Sequence, residues 1–279
     1  MTKLAAGLCL AHALLAGTAI SEGVDINYES YGKGRQALIF VHGWTCDLTF
    51  WRGQAPVYEK RRSLLIDLPG HGKSGKPEVA YTQERFARAI DSVMVKEGVE
   101  QGVLIGHSMG GPVSLTFLRL FPKKVKGVVL VDSNLPPSPE DTEKRQQWAA
   151  IRKQFGAMWR SPEWKQHAAK FLASMYSPKT SEAARAEIEA KMLIAPMFVR
   201  ASAFEEMFAM DGPRAGESYP VAAASIAAAG PHQEGEARLR KLFPKLSKYE
   251  AWEGYGHFLM MEDAQRFNRS LEEFLSSVK

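Results

Sequence analysis

Gly106-His107-Ser108-Met109-Gly110 sets a serine between two glycines in the spacing G-x-S-x-G. Residues 102–105 before it form a short continuous apolar run, and residues 112–121 after it have helical spacing. A serine on so sharp a strand-to-helix turn is lifted above the sheet, and the glycines let neighbouring backbone approach closely. The helix that follows aims its first N–H groups at the same point. A serine hydroxyl is a weak nucleophile and needs a base. Of the seven histidines, His257 stands in Gly256-His257-Phe258, between the last predicted strand and the closing helix. From there an imidazole can lean over the sheet toward Ser108. The others are placed less well. His12 falls in an N-terminal apolar run, His42, His71 and His107 inside loop motifs, His167 in a helical block, and His232 in a loop with no matching partner. Ser108 and His257 are therefore the candidate nucleophile and general base.

The elements that must position them can be read from hydrophobic patterning. Residues 24–28 alternate apolar and polar, as a half-buried strand does. Residues 37–41, 63–66, 102–105 and 125–131 are uniformly apolar runs, expected of strands buried on both faces. Each ends in an unusual loop: His42-Gly43-Trp44, Asp67-Leu68-Pro69-Gly70-His71-Gly72, the serine turn, and Asp132-Ser133-Asn134. Residues 82–96 have helical spacing with Phe86, Ile90 and Val93 on one face. Strands alternating with helices predict an α/β fold, a doubly wound, mostly parallel sheet with helices on both faces. In such sheets ligands bind outside the carboxyl ends of the strands.

Leu135-Pro136-Pro137-Ser138-Pro139 then breaks the pattern, and residues 140–210 show only helical periodicity. This predicts a four-helix insertion, rich in Trp148, Phe155, Trp159, Phe171, Met175, Met192, Phe204 and Met207 among others. Most of these are expected to pack the insertion itself, and a minority to face a pocket. The sheet resumes over residues 220–228, followed by a helix over 234–242, a strand over 248–252 and a closing amphipathic helix over 263–278.

Composition narrows the class. The chain has 279 residues, 45% hydrophobic and 24% charged, which excludes a disordered chain, a collagen and a disulfide scaffold. The net charge is +5 and the basic residues are scattered, so nucleic acid is not an expected partner. Cys9 and Cys46 are the two cysteines, with no C-x-x-C spacing and no metal site implied. Cys46 is expected to be a packed small hydrophobe rather than a reactive thiol. Lys3, an apolar run over residues 4–16 and Gly17-Thr18-Ala19 predict a cleaved secretory leader over residues 1–21. The expected localisation is secreted or periplasmic, with cytoplasmic as the alternative. The run is too short to span a bilayer comfortably, and Leu8 is too bulky to precede a lipid-modified cysteine, so no stable membrane anchor is expected.

With His42-Gly43-Trp44, Gly106-His107-Ser108-Met109-Gly110 and Gly256-His257-Phe258 together, the chain resembles α/β-hydrolase-fold serine hydrolases. Small bacterial carboxylesterases, meta-cleavage C–C hydrolases and cofactor-free perhydrolases are of this type. The resemblance covers about residues 24–135 and 220–275. It implies a core of residues 22–134 and 216–279 with a helical cap over 135–215. It also implies that Ser108 is the nucleophile, that His257 is the base, and that the backbone N–H groups of Trp44 and Met109 form the oxyanion hole. The Trp44 side chain would line the acyl pocket or pack under the cap. Asp67 and His71 belong to a family-typical loop that holds the sheet edge and carries no chemistry.

The third catalytic residue departs from the family pattern. An aspartate usually follows the strand that here ends in Ala227-Ala228-Ala229-Gly230-Pro231, and no carboxylate stands there. Asp132, at the end of the strand after the serine helix, is the favoured acid, Glu234 is the alternative, and a dyad with water is the third option. The implied activity is hydrolysis of an ester, or a related acyl or C–C bond, of a small to medium hydrophobic substrate through an acyl-serine. A serine nucleophile argues against the dehalogenase and epoxide hydrolase relatives, which use a carboxylate. Perhydrolysis is an alternative, as is a non-catalytic ligand-binding protein on the same fold, which the missing carboxylate would suit. No cofactor is implied, and the expected partner is a small-molecule substrate.

Overall fold

The uniformly apolar runs become the centre of one sheet. The structure, a computed structural model, describes residues 15–135, 142–208, 212–230 and 235–278. Its strands are β1 (Leu15–Ser21), β2 (Val24–Tyr31), β3 (Gln36–Val41), β4 (Ser63–Ile66), β5 (Gln101–His107), β6 (Val125–Val131), β7 (Ala222–Ala228) and β8 (Lys245–Trp252). They lie in the order β1-β2-β4-β3-β5-β6-β7-β8. The two pairings of β2, with β1 and with β4, are antiparallel, and every other pairing is parallel. Ile39, Phe40 and Val41 on β3, Leu104 and Ile105 on β5, and Val129 on β6 are fully buried. Apolar side chains on both faces of these strands explain the absence of polar alternation in their sequence.

The helices are α1 (Ala55–Tyr58), α2 (Gln83–Lys96), α3 (Gly110–Leu120), α4 (Thr142–Arg160), α5 (Trp164–Met175), α6 (Glu182–Met192), α7 (Met197–Met207), α8 (Glu236–Leu242), α9 (Leu259–Glu262) and α10 (Ala264–Ser277). Helix α2 starts where the Thr82 hydroxyl accepts the Arg85 N–H. It buries Phe86, Ile90 and Val93, the face expected from their spacing. Helix α10 begins at an Asp263 cap and buries Phe267, Leu271 and Phe274. Four helices, α4–α7, stand between β6 and β7, as the periodicity of that block predicts.

One boundary differs from expectation. Leu15–Ser21, assigned above to the leader, forms the edge strand β1, in register with β2 from Leu15 opposite Ser30 to Ser21 opposite Val24. The sheet therefore includes Leu15–Ser21, ahead of the expected boundary at residue 22. The sequence conceals this strand because its apolar residues do not all face inward. Ala19 and Ser21 are buried, whereas Leu15 and Ile20 are 62% and 71% exposed. The remainder of the expected leader, residues 1–14, lies outside the described residues.

Candidate active site

Ser108 leaves β5 and enters α3 with φ +52°, in the left-handed region. For a non-glycine residue this costs on the order of 1–2 kcal/mol, so the surroundings must impose it. The flanking glycines show how. A Cβ on Gly106 would lie 2.3 Å from the Gly110 carbonyl oxygen, and one on Gly110 would lie 2.4 Å from that of Val41. Only glycine permits this closeness, and the turn is pinned between α3 and β3. The Ser108 N–H donates to the Val131 carbonyl at 3.0 Å, and its own carbonyl accepts from Gly111 N–H at 3.0 Å and from the Ser133 hydroxyl at 2.6 Å. Among the described residues the other non-glycine positive φ values are at Glu22, Thr45 and Asp132. Three of the four strained positions thus surround one point above the strand ends.

Asp132 follows β6 with φ +41°. Its Oδ2 lies 2.5 Å from Nδ1 of His257, and each side chain is 19% exposed. Its Oδ1 accepts the backbone N–H of Ala228 at 2.8 Å. Burial pushes this carboxyl up, but the His257 hydrogen bond and charge and the Ala228 N–H outweigh it and hold the group below the usual carboxylate range. An ionised carboxylate can only accept, so Nδ1 of His257 carries the proton and Nε2 is left as the basic nitrogen. The end of β7, where the family's acid was expected, instead presents the N–H that fixes Asp132. The alternative acid, Glu234, lies outside the described residues.

The backbone of His257 is held from two sides. Its carbonyl accepts Nε2–H of the buried His107 at 2.9 Å, and its N–H donates to the Met175 carbonyl, at the end of α5, at 2.8 Å. Burial, with the nearby His257 adding to it, pushes the His107 imidazole down to about 3, so this donor is neutral at ordinary pH. Beside it, Glu262 accepts Gly256 N–H at 2.8 Å on one oxygen and the Thr180 hydroxyl on the other. The loop bearing His257 is thereby tied to the serine turn and to the helical insertion together. Sequence patterning misses Ser133, His107, Met175, Thr180 and Glu262 in these roles, because each acts through one bond to backbone or to a distant loop. The single signal was His107's place within the serine motif.

The loop after β3 lies against Ser108: a Cβ on Gly43 would be 3.1 Å from Cβ of Ser108. Among the described residues, the N–H groups of Trp44 and Met109 have no protein acceptor. The Trp44 side chain packs under the insertion, 4.6 Å from Trp159, 5.0 Å from Phe204 and 5.6 Å from Phe171 between ring centroids, and its Nε1–H donates to the Arg200 carbonyl at 2.9 Å. Two spaces meet at Ser108 and His257. One is a narrow chamber bounded by Trp44, Cys46, Phe171, Met192, Phe204 and Phe258, with about 20 Å³ open to water-sized groups. The other is a cleft of about 560 Å³ on the Asp132 side. Ser108 makes no hydrogen bond to His257 in this resting geometry, a contact that in hydrolytic sites often tightens only when substrate binds.

The remaining loop residues serve the frame. Asp67 accepts Leu48 N–H and Lys73 N–H, both at 2.8 Å, and the Asn27 amide at 2.8 Å, which knits three segments at the sheet edge. The His71 ring donates Nδ1–H to the Pro69 carbonyl at 2.9 Å, and burial, with His42 nearby, pushes it down to about 3. Cys46 is buried, and burial pushes its thiol well up, as suits a packed side chain. Among the described residues no group of three or more His, Cys, Asp or Glu is placed to hold a metal, and no helix is long and apolar enough to cross a membrane.

Similarity to known proteins agrees with this geometry at the level of fold. The chain is 34% identical over 116 residues to an uncharacterized hydrolase, YugF, of Bacillus subtilis, covering 40% of this chain and 42% of that protein. It is 31% identical over 125 residues to a pimeloyl-[acyl-carrier protein] methyl ester esterase of Wigglesworthia glossinidia brevipalpis, covering 44% of each. The chain thus spans less than half the length of these curated relatives. Among solved structures, a thermophilic esterase from Thermogutta terrifontis superposes with a TM-score of 0.80 at 20% identity, covering 95% of this chain and 99% of that one. Epoxide hydrolase A from Mycobacterium thermoresistibile superposes at 0.76 with 17% identity, covering 96% and 99%. Residues 36–205, more than half of the sequence, match the model of the alpha/beta hydrolase fold. The chain belongs to the alpha/beta hydrolase fold family.

Proposed function

We propose that this protein is a serine hydrolase that cleaves carboxylic esters through an acyl-serine intermediate. The observation that carries this reading is the 2.5 Å contact between Asp132 and Nδ1 of His257, beside a serine held at positive φ in the same cavity. Asp132 fixes the tautomer, so Nε2 of His257 is free to take the Ser108 proton. The Oγ of Ser108 then bonds to the carbonyl carbon. The developing oxyanion is received by the N–H groups of Trp44 and Met109, next to the N-terminus of α3, donors of a kind worth about 10²–10³ each in rate. Nε2–H passes its proton to the leaving alkoxide as the C–O bond breaks. Water, deprotonated by the same nitrogen, releases the acid and regenerates Ser108.

A non-catalytic binder was attractive only while β7 lacked a carboxylate. The contact of Asp132 with His257, with Ala228 N–H donated to the same carboxylate, supports the catalytic reading over it. The esterases among the relatives favour the same reading, and the helices α4–α7 act in it as a cap over the serine. The test is hydrolysis of p-nitrophenyl acetate by the protein and by Ser108→Ala. Turnover is expected to fall by several orders of magnitude in the variant with the fold retained. Residual turnover within about tenfold of the parent would contradict the assignment of the nucleophile.

A further inference from the structure

The two spaces that meet at Ser108 differ in size and in kind. The chamber, on the side of Trp44 and Gly43, is walled by Cys46, Phe204 and Phe258, all buried, with Met192 and Met207 closing it from the insertion. It offers about 20 Å³, little more than one water-sized sphere. The cleft, on the side of Asp132, offers about 560 Å³, and its walls include the exposed Asn134, Ser174 and Gly230 with the hydroxyl-bearing Ser133, Tyr176 and Tyr255.

An acyl-serine cycle uses these two spaces unequally. After the first step the acyl group stays bonded to Ser108, while the alcohol must leave and water must reach His257 by the same route. A chamber this small, walled by buried apolar side chains, suits the group that stays, and the larger cleft suits the group that goes. We propose that the chamber is an acyl pocket limited to about two or three carbons and that the cleft takes a bulkier, oxygen-bearing alcohol. The substrate class is then short-chain acyl esters, acetyl or propionyl, of large alcohols. This inference rests on the hydrolase reading above. Longer chains must displace Met192 or Met207 from packed positions, and each forced methylene in a packed pocket is disfavoured.

A second small void lies behind the chamber, between Trp44, Trp159 and Trp164, and Met192 and Phe171 form the partition between the two. Shortening Met192 therefore joins them and lengthens the pocket.

The experiment compares kcat/KM for p-nitrophenyl acetate, propionate, butyrate, hexanoate and octanoate, with the leaving group constant. A fall of at least tenfold from propionate to hexanoate is expected, with no comparable loss from ethyl acetate to 1-naphthyl acetate. In Met192→Ala, and separately in Met207→Ala in case the first folds poorly, the hexanoate-to-acetate ratio is expected to rise about tenfold. Rates that stay level or rise with acyl length would overturn the acyl-pocket assignment and leave the hydrolase reading standing. No turnover of any ester, with no labelling of Ser108 by a fluorophosphonate, would overturn both.

Discussion

The carboxyl ends of the strands and the helical insertion contribute to the same site in opposite ways. At the strand ends, Ser108 and Asp132 stand on backbone forced to positive φ and clamped by main-chain bonds to Val131 and Ile226, with the Asp132 carboxylate also accepting Ala228 N–H. Their strands are buried along nearly their whole length, so the surroundings cannot adjust without disturbing the core. The insertion brings Phe171, Met175, Met207 and Phe208, which are only half-buried and rest on the core rather than inside it. Methionine and phenylalanine side chains there can change size by substitution without disturbing the strands beneath. Under the proposed function, the chemistry belongs to the rigid frame and selectivity to the cover. Where the two meet, the frame's His257 loop is bonded to the insertion through Met175, Thr180 and Glu262.

The contrast predicts unequal penalties. Asp132→Asn keeps the shape at the strand end but favours the wrong imidazole tautomer, so kcat is expected to drop by about 10³–10⁴. Steady-state kinetics on an activated ester measures it, and a loss below tenfold would mean that Asp132 is not the orienting acid. At the seam, Glu262 would act in the proposed mechanism as a positioning residue, through its bonds to Gly256 and Thr180. Glu262→Ala is expected to lower kcat about tenfold with KM changed less than threefold, because it frees the His257 loop and leaves the chamber walls in place. Glu262→Gln is expected to recover most of the loss, since its amide can accept from Gly256 and donate to Thr180. An equal loss in both variants, or a change confined to KM, would break the link between insertion and base.

The smallest effect concerns stability rather than rate, and it belongs to the frame. His71 and His107 are buried and held near 3, whereas in the unfolded chain they titrate near the ordinary 6.5. Between those values the unfolded state binds protons that the folded state does not. Stability is therefore full above pH 6.5 and falls as the pH drops toward 3, by about 1.4 kcal/mol per pH unit for each histidine. Asp132, held low in the fold, adds a loss only at the acid end of that range. Urea midpoints at pH 7.5, 6 and 5 check this; a midpoint unchanged down to pH 5 would mean that these imidazoles are not buried neutral.

The frame was legible in the sequence because its physics is local. Uniform apolar runs mark strands covered on both faces, and the glycines flanking Ser108 mark a turn with no room for a Cβ. Asp132 could be nominated because it ends such a run, although the N–H of Ala228 that fixes it arrives from a strand nearly a hundred residues later. The insertion was legible only as helices. On α5, Ala168 and Leu172 are buried inside the insertion while Phe171 and Met175 line the site, yet the four share one apolar stripe of the sequence. Periodicity gives the stripe and cannot divide it. Strand β1 was hidden for a related reason. An edge strand with Leu15 and Ile20 facing outward has the composition of a leader rather than the alternation of a strand.

The most direct test of the central claim is intact-mass analysis of the folded protein after exposure to a fluorophosphonate, which captures a serine only when a neighbouring base activates it. One adduct per chain is expected, mapping to Ser108 and lost in Ser108→Ala, with labelling slowed in Asp132→Asn. Folded protein that takes up no adduct, or takes it up at a residue other than Ser108, would contradict the account.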